Sequence, residues 1–382
     1  MLKLLFIEDQ PEAVQPVINS LKRKTECDYA CEIAGFNDAE TVIDSFVPDV
    51  VILDLLENGG SAEPKTTGLA TYDQIWNTRF CPIVVYSARP DILSEAHDEH
   101  PFVKIVQKGK DSEVKVEKSI NELRPQIEAI RDAETRIRRE FAVALRDVAP
   151  DAFRMFTDAA QRNDAILRSG RRRLAACMDT PLKPGEQLAS WELYLCPPIS
   201  GDIQLGDILR QSDGPVDDAC SFCVVLTPSC DLVASGGRKP KVKNVLVSGC
   251  CSLPDALTRL QMVPKKGTLT NGEKLEAFKK QLRQAVLTPG YCKPFIPFPY
   301  LEKRIPAMAA DLRHLKFIPI GDIARSGKAF DRIASIDSPF RELVSWAYLH
   351  TACRPGLPDR DFDSWCDDII DLLRGDNGAV GQ

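Results

Sequence analysis

The chain has 382 residues, of which 44% are hydrophobic and 27% are charged. This is the composition of a globular protein, and the length exceeds that of one ordinary domain. The net charge of −6 argues against a protein that coats nucleic acid with its whole surface. No uncharged run reaches the roughly 18 residues needed to span a bilayer, so we expect a cytoplasmic protein without a membrane segment. The 13 cysteines are odd in number, which favours free thiols over a disulfide framework.

Four short hydrophobic runs mark the first 124 residues. They cover Leu4 to Ile7, Val50 to Leu53, Ile83 to Tyr86 and Val103 to Val106. Such runs are typical of strands that are buried on both faces. Amphipathic segments of helix length separate them, and this alternation predicts a parallel sheet with helices on both sides. The carboxyl ends of the strands would then meet in one crevice.

Polar residues with complementary chemistry lie at or just after the ends of these runs: Glu8, Asp9, Asp54, Ser87 and Lys108. Three carboxylates held together repel one another, so the group makes sense around a hard divalent cation, for which Mg²⁺ is the natural candidate. Asp54 is then expected to attack a phosphoryl group as a carboxylate nucleophile. Mg²⁺, the Lys108 ammonium and the Ser87 hydroxyl would neutralise the charge on the phosphoryl oxygens.

The motifs FIEDQ, VVILDL, VVYSA and VQKG occur in this order along the chain. On these motifs, residues 1–124 resemble the receiver domain of two-component response regulators. The resemblance implies a flavodoxin-like, doubly wound sheet of five parallel strands. It also implies that the domain catalyses its own phosphorylation on Asp54, with a sensor histidine kinase or a phosphotransfer protein as donor and with Ser87 and Lys108 in contact with the phosphoryl group. The implied Mg²⁺ ligands are three carboxylates and one backbone carbonyl: Glu8, Asp9, Asp54 and Leu56.

The sequence departs from the family pattern in three places beside this crevice. Gly109 follows Lys108 where the family usually has proline, which weakens the expectation of a cis peptide there. Ile105 stands where the family commonly has an aromatic residue that swings inward, so the usual aromatic switch is in doubt. The loop of residues 55–65 is longer than typical before Gly68 and the next predicted helix. This loop is either a surface for a specific partner or a solvated insertion.

A long helical seam follows the receiver-like segment. Its apolar positions recur at alternating spacings of four and three and are interrupted only by Glu134; they are Val116, Ile120, Leu123, Ile127, Ile130, Ile137, Phe141, Ala144 and Val148. This period is typical of a coiled coil or a long bundle helix. The first three positions fit a last receiver helix, whereas the rest require either a second copy of the chain or the C-terminal domain. Pro125 predicts a kink or a restart, and we expect a helical linker over residues 125–178.

Residues 179–382 are predicted to form an α+β output domain of unknown function. Strand patterns occur at 191–196, 207–210, 221–226 and 242–247, and helical patterns occur at 271–287, 338–351 and 361–374. Because the strands precede most of the helices in the chain, an α+β domain is favoured over a second parallel sheet.

The segment VVLTPSCDL, residues 224–232, is the most distinctive stretch of this half and resembles only uncharacterised bacterial domains. One hypothesis is a nucleophilic Cys230, beside Asp231, with His314 or His350 as its base. A second is a zinc site formed by Cys220, Cys223 and Cys230 with Cys250 or Cys251. The third is structural: small buried thiols and a tight Pro-Ser turn that Asp231 caps.

The sequence therefore predicts a response regulator that is phosphorylated on Asp54 and controls an atypical, non-DNA-binding output domain through an unidentified protein partner. No separate enzymatic activity is evident, although an enzyme gated by phosphorylation, with a site around Cys230-Asp231, is an alternative. A homodimer through the seam is a further possibility. Nucleic-acid binding is not favoured, but two basic clusters would be its route: Arg168, Arg171, Arg172 and Arg173, and Arg238, Lys239, Lys241 and Lys243.

Overall fold

The computed structural model describes most of the chain, with several gaps. The described residues are 1–23, 29–57, 66–93, 100–178, 187–199, 201–234, 238–265, 268–270, 272–287, 294–324, 326–353, 363, 366–367 and 369–370. The chain divides into two compact units, Met1–Pro184 and Gly185–Gln382. Within the described residues, no helix is both long and apolar enough to cross a membrane.

A parallel sheet of five strands forms the centre of the N-terminal unit. The strands are β1 (Leu2–Ile7), β2 (Tyr29–Ala34), β3 (Val50–Leu53), β4 (Ile83–Ser87) and β5 (Val103–Gln107). Their order is β2-β1-β3-β4-β5, and every neighbouring pair is parallel. This is the flavodoxin-like order of a doubly wound sheet, so the predicted fold class is confirmed.

Helices cover both faces of this sheet. They are α1 (Pro11–Arg23), α2 (Ala39–Phe46), α3 (Thr67–Thr78) and α4 (Ser112–Glu122). The apolar stripes of α1 and α4 pack on one face, where Val17 and Ile120 are almost fully buried. The stripes of α2 and α3 pack on the other face through Ile43 and Ile75. Each central strand is therefore apolar on both sides, which explains the continuous hydrophobic runs.

Strand β2 lies at the edge of the sheet and has no such run. Its sequence is YACEIA, and Ala34 is its only fully buried residue. Glu32 is exposed in the middle of the strand. An edge strand with polar residues carries no continuous hydrophobic signal, which is why only four of the five strands stand out in the sequence.

Two long helices follow the sheet: α5 (Arg124–Met155) and α6 (Ala159–Met178). Pro125 lies in the first turn of α5, where a missing N–H costs no helical hydrogen bond, so the predicted restart at Pro125 is confirmed. Helix α6 packs against α5, because a Cβ added to Gly170 would lie 3.1 Å from the Phe141 ring and 3.3 Å from Leu145. This neighbour in the same unit covers part of the seam, for which the sequence predicted only a second copy of the chain or the C-terminal domain as partner. We call α5 and α6 together the helical arm.

The C-terminal unit is built on a second, largely antiparallel sheet. Its strands are β6 (Tyr194–Leu195), β7 (Asp207–Gln211), β8 (Phe222–Val225), β9 (Asn244–Ser252), β10 (Phe295–Phe298), β11 (Met308–Pro319), β12 (Ile323–Ala324) and β13 (Phe330–Ile336). The order is β10-β11-β9-β8-β7-β13-β12, with β6 paired to β13. Among the described strands of this second sheet, only β12 and β13 form a parallel pair.

The helices of this unit are α7 (Ser229–Leu232), α8 (Leu253–Arg259), α9 (Gly272–Leu282) and α10 (Phe340–Ala352). An antiparallel sheet with separate helices is an α+β architecture, as predicted. The strand predicted at 191–196 is wrong in its first half, because Ser190–Leu193 is a 3-10 turn and only Tyr194–Leu195 pairs. The helix predicted at 361–374 lies largely outside the described residues.

A buried ion pair joins β7 to β13 in the C-terminal unit. Asp207 Oδ2 accepts hydrogen bonds from Arg332 Nε at 2.9 Å and from the Gln204 backbone N–H at 2.8 Å. Its Oδ1 accepts a hydrogen bond from Ser335 Oγ at 2.6 Å. Burial raises the pKa of Asp207, while the Arg332 charge and the Ser335 hydroxyl oppose that shift. Both carboxylate oxygens are satisfied, and the pair is electrically neutral.

Candidate functional site

The carboxyl ends of β1, β3, β4 and β5 bring four of the predicted site residues to one edge of the N-terminal sheet. Lys108 Nζ donates to Glu8 Oε2 at 2.5 Å and to Asp54 Oδ2 at 2.6 Å. Glu8 is 3% exposed and Asp54 is 4% exposed. One ammonium therefore bridges two buried carboxylates that are 46 residues apart in the sequence.

The second carboxylate oxygen of Asp54 is held by the backbone. Asp54 Oδ1 accepts a hydrogen bond from the Leu55 N–H at 2.7 Å and a longer one from the Leu56 N–H at 3.3 Å. The Asp54 N–H donates to the carbonyl of Ile7 at 3.0 Å, which ties this residue to the end of β1. The carboxylate is thus fixed between an ammonium and a pair of amides.

The crevice holds one lysine against two acidic side chains, Glu8 and Asp54. The pKa of Glu8 is raised to about 7, chiefly by burial; Lys108 lowers it, while the Asp54 and Asp9 carboxyls add to the rise. Burial lowers the pKa of Lys108, but the hydrogen bonds and charges of Asp54 and Glu8 outweigh burial and raise it overall. Lys108 is therefore held in its charged form, and the two carboxylates share a single positive charge.

Ser87 ends β4 and is fully buried. Its carbonyl accepts a hydrogen bond from the Lys108 N–H at 2.9 Å, and its Oγ accepts a long one from the Arg89 N–H at 3.4 Å. Because Leu53 lies opposite Val85 in the β3–β4 pair, the end of β4 runs alongside the segment that contains Asp54. Asp9 directly follows Glu8 and is partly buried.

Gly68, in the first turn of α3, lies against the backbone of the candidate acceptor. A Cβ at this position would come within 2.3 Å of the Asp54 carbonyl oxygen and 2.4 Å of Leu55 Cα. The Gly68 N–H donates to the Leu55 carbonyl at 3.3 Å. Only glycine permits this approach. The sequence does not reveal this role, because a close contact between distant segments has no local pattern.

Tyr86 is a second residue whose role the sequence did not reveal. Its ring centroid lies 5.5 Å from Lys108 Nζ, and its hydroxyl shares a hydrogen bond of 2.9 Å with Ser112 Oγ. The ring forms a cation–π contact that helps to direct the ammonium towards the two carboxylates. The position of Tyr86 directly before Ser87 was the available signal.

The crevice residues fit a hard divalent cation by their donor chemistry. Glu8, Asp9, Asp54 and the Leu56 carbonyl supply only oxygen donors, and a cationic group already lies between Glu8 and Asp54. In the part of the chain that the structure describes, no three histidine, cysteine or acidic side chains stand close enough to hold a metal ion as they are placed. Binding of Mg²⁺ would therefore require the acidic side chains to come closer together.

The architecture of this unit follows from two observations. Its five parallel strands have the order β2-β1-β3-β4-β5. Acidic residues follow β1 and β3, and Lys108 follows β5. The N-terminal unit has a receiver-type, flavodoxin-like fold, and we call it the receiver-type domain on the basis of that fold. No family model matches the chain. No curated protein matches it either.

Several solved structures are similar to the receiver-type unit. The N-terminal domain of the lantibiotic response regulator NsrR is 18% identical and aligns over 32% of this chain and 98% of its own length, with a TM-score of 0.26. The response regulator receiver domain of PhyR from Erythrobacter litoralis is 18% identical over 31% of this chain and 89% of that chain, with a TM-score of 0.24. A two-component transcriptional regulator AraC from Clostridium phytofermentans is 15% identical over 35% of this chain and 99% of that chain, with a TM-score of 0.26. The flavodoxin-like fold of this unit follows from its strand order and does not depend on these similarities.

The cysteines proposed as zinc ligands do not converge. Cys223 belongs to an apolar cluster on one face of the sheet, whereas Cys250 belongs to the cluster on the other face. Cys251 packs in a third cluster, and Cys220 and Cys230 are exposed. Side chains alternate between the faces of a strand, so a Cys-x-x-Cys at a strand end does not create one site. The zinc hypothesis receives no support.

The Cys230 segment is held by ordinary structural contacts. Ser229 Oγ accepts a hydrogen bond from the Leu205 N–H at 3.0 Å, and Asp231 Oδ1 accepts one from Lys241 Nζ at 2.9 Å. The Lys241 hydrogen bond lowers the pKa of Asp231. Of the two candidate bases, His314 lies against Gly249 and His350 stacks on Trp346. The nucleophile hypothesis therefore receives no support. The predicted Pro-Ser turn is present as the short helix α7, but its N-cap makes no side-chain hydrogen bond, so the predicted cap by Asp231 is not confirmed. Cys223, Cys250 and Cys251 are buried as predicted, whereas Cys220 and Cys230 are exposed.

Acidic neighbours reduce the positive charge of both basic clusters. Arg168 pairs with Asp164 at 3.7 Å and Arg173 pairs with Asp147 at 3.1 Å, both on the helical arm. In the second cluster, Lys241 pairs with Asp231. These pairs are exposed and are typical of a solvated surface.

Proposed function

We propose that the chain is a two-component response regulator in which Asp54 accepts a phosphoryl group. The observation that supports this most is the Lys108 ammonium bridging Asp54 and Glu8 at the carboxyl edge of the parallel sheet. A buried carboxylate beside a fixed ammonium combines a nucleophile with a group that neutralises phosphoryl charge. The donor would be a sensor histidine kinase or a phosphotransfer protein.

In the proposed step, a carboxylate oxygen of Asp54 attacks the phosphorus of the donor. A new P–O bond forms while the bond from phosphorus to the donor nitrogen or oxygen breaks, and the donor keeps that electron pair and takes up a proton. Lys108 Nζ shifts from the carboxylates to the phosphoryl oxygens, and the Ser87 hydroxyl donates a hydrogen bond to another of them. The Leu55 and Leu56 amides keep Asp54 oriented for the attack.

Mg²⁺ is the cofactor in this proposal. When bound, it would neutralise charge on the phosphoryl oxygens and on the acidic pair. Glu8, Asp9, Asp54 and the Leu56 carbonyl would hold it. Phosphorylation would then change how the C-terminal unit meets a protein partner, and a second copy of the chain bound through the helical arm is one candidate.

The test is phosphorylation by a small-molecule donor. The full chain, incubated with acetyl phosphate and Mg²⁺, should gain one phosphoryl group by intact mass, and Asp54→Ala should abolish the gain. Asp38→Ala is the matched control, because Asp38 is exposed at the start of α2 and its side chain caps no backbone N–H. That variant should be phosphorylated like the wild type.

Two results would contradict the proposal. The first is an unchanged mass of the wild type with acetyl phosphate and also with the cognate kinase, which would mean a degenerate receiver. The second is an equal mass gain in the wild type and in Asp54→Ala, which would place the phosphoryl group elsewhere.

A further inference from the structure

We propose that α3 is a rigid link through which phosphorylation of Asp54 loosens the attachment of the helical arm to the receiver-type domain. This inference rests on the proposed function, since it needs a modification at Asp54. It assigns a route for the signal that does not use an aromatic residue at position 105, where the chain has Ile105. Every contact that carries it lies within the N-terminal unit.

The first end of the link touches the acceptor. Gly68 leaves no free space against Asp54 and Leu55, since an added Cβ would lie 2.3 Å from the Asp54 carbonyl oxygen. The neighbouring Thr67 Oγ1 donates to Glu57 Oε2 at 2.6 Å, which fixes the start of α3 to the segment that follows Asp54. A shift of that segment must therefore shift the start of α3.

The body of the link is a packed helix. Helix α3 has 12 residues, which corresponds to about 18 Å. Thr71, Tyr72 and Ile75 are buried along its length. A buried helix moves as a unit, because neither its hydrogen bonds nor its packing yields locally.

The second end of the link holds the helical arm. Arg79 caps α3, and its Nη2 donates to Glu134 Oε2 of α5 at 2.8 Å. Arg79 Nε also donates to the Pro48 carbonyl at 3.0 Å. Glu134 is the only polar interruption of the apolar seam, and its ion pair with Arg79 explains why an acidic residue stands there. One turn earlier in α5, Arg131 pairs with the buried carboxylate of Asp49.

Phosphorylation must rearrange the acceptor end. In the unmodified chain, Asp54 Oδ2 binds Lys108 and Oδ1 binds the amides of Leu55 and Leu56. Bond formation at either oxygen removes the carboxylate charge from both, so all the hydrogen bonds that Asp54 accepts become weaker, including those from its backbone partners. The Leu55 backbone is one of those partners and is also the surface on which Gly68 rests.

Hydrogen exchange of the full chain tests the link. Peptides that cover residues 124–140 should exchange about two- to fivefold faster after phosphorylation, which corresponds to losing one partly buried ion pair. Glu134→Gln should show this faster exchange before phosphorylation and little further change after it. Intact mass of the same samples reports whether Asp54 has been phosphorylated.

Arg136→Gln provides the matched control. It removes an exposed i,i+4 ion pair with Asp132 on the same helix. That variant should respond to phosphorylation as the wild type does.

The outcomes separate the two proposals. A phosphorylated wild type with unchanged exchange over residues 124–140 overturns the link and leaves the proposed function standing. An equal response in Glu134→Gln and the wild type also overturns the link. A wild type that gains no phosphoryl group overturns both.

Discussion

Both units of the molecule bury a carboxylate beside a cation, but the balance of charge differs between them. In the C-terminal unit, Asp207 meets one guanidinium, and neutral donors satisfy its remaining lone pairs. In the N-terminal unit, Glu8 and Asp54 share one ammonium. When both carboxyls are ionised, the second case has an excess negative charge that an added cation would compensate. Charge balance, more than burial, therefore separates a structural ion pair from a candidate reactive one.

The largest expected effect concerns the balanced pair. Arg332→Met leaves Asp207 buried without its cation, which should lower the free energy of unfolding of the C-terminal unit by about 3–5 kcal/mol. Urea denaturation followed by circular dichroism measures this change. Lys241→Met is the control, because its pair with Asp231 is exposed and should contribute nothing measurable. Equal denaturation midpoints for the two variants would show that the buried pair is unimportant.

A smaller effect is expected at the glycine beside the acceptor. Gly68→Ala forces a methyl group against the backbone of Asp54 and Leu55, which should lower the free energy of unfolding by about 1–3 kcal/mol. It should also slow phosphorylation by acetyl phosphate.

Gly272→Ala is the control for this substitution. Gly272 lies at the start of α9 with open space around it, so alanine should be neutral or slightly stabilising there. A Gly68→Ala variant as stable as Gly272→Ala would mean that the close approach is not required.

The smallest effect is the response of the unbalanced crevice to Mg²⁺. Binding to the folded state alone should raise the free energy of unfolding by about 1.4 kcal/mol when Mg²⁺ is at ten times its Kd. Calorimetry of the full chain with and without Mg²⁺ measures this gain. Glu8→Gln should reduce it, whereas Glu40→Gln, on an exposed carboxylate of α2, should not. An identical gain in both variants would argue against a metal site at Glu8.

The sequence predicted the receiver-type fold and the grouping of its polar residues, because both are carried by local signals. Each site residue directly follows or ends a strand run, and parallel strands place their carboxyl ends together. The chemical roles of Asp54, Ser87, Lys108 and the Mg²⁺ ligands remain predictions. Edge strand β2 gave no signal, since Glu32 interrupts it.

What could not be predicted depends on contacts between distant segments. The approach of Gly68 to Asp54 and the ion pair of Arg79 with Glu134 are tertiary contacts without a sequence pattern. The same holds for the opposite faces occupied by Cys223 and Cys250, which a Cys-x-x-Cys spacing does not reveal. Strands β11 and β13 were also missed, because their partners β9 and β7 lie far away in the chain. Strand β10 was missed as well, although its partner β11 follows closely.

Trp76 places a fluorescent side chain near the C-terminal end of α3. It is the only tryptophan among residues 1–184. Its indole N–H donates to the Cys81 carbonyl at 2.9 Å, and its ring lies 4.6 Å from His100 and 5.5 Å from Phe80. Phe80 also lines the cleft between α3 and α5. Trp76 therefore lies near the contact of Arg79 with Glu134, and its fluorescence depends on the residues around it. The receiver-type domain thus carries an intrinsic fluorescent reporter and needs no added label.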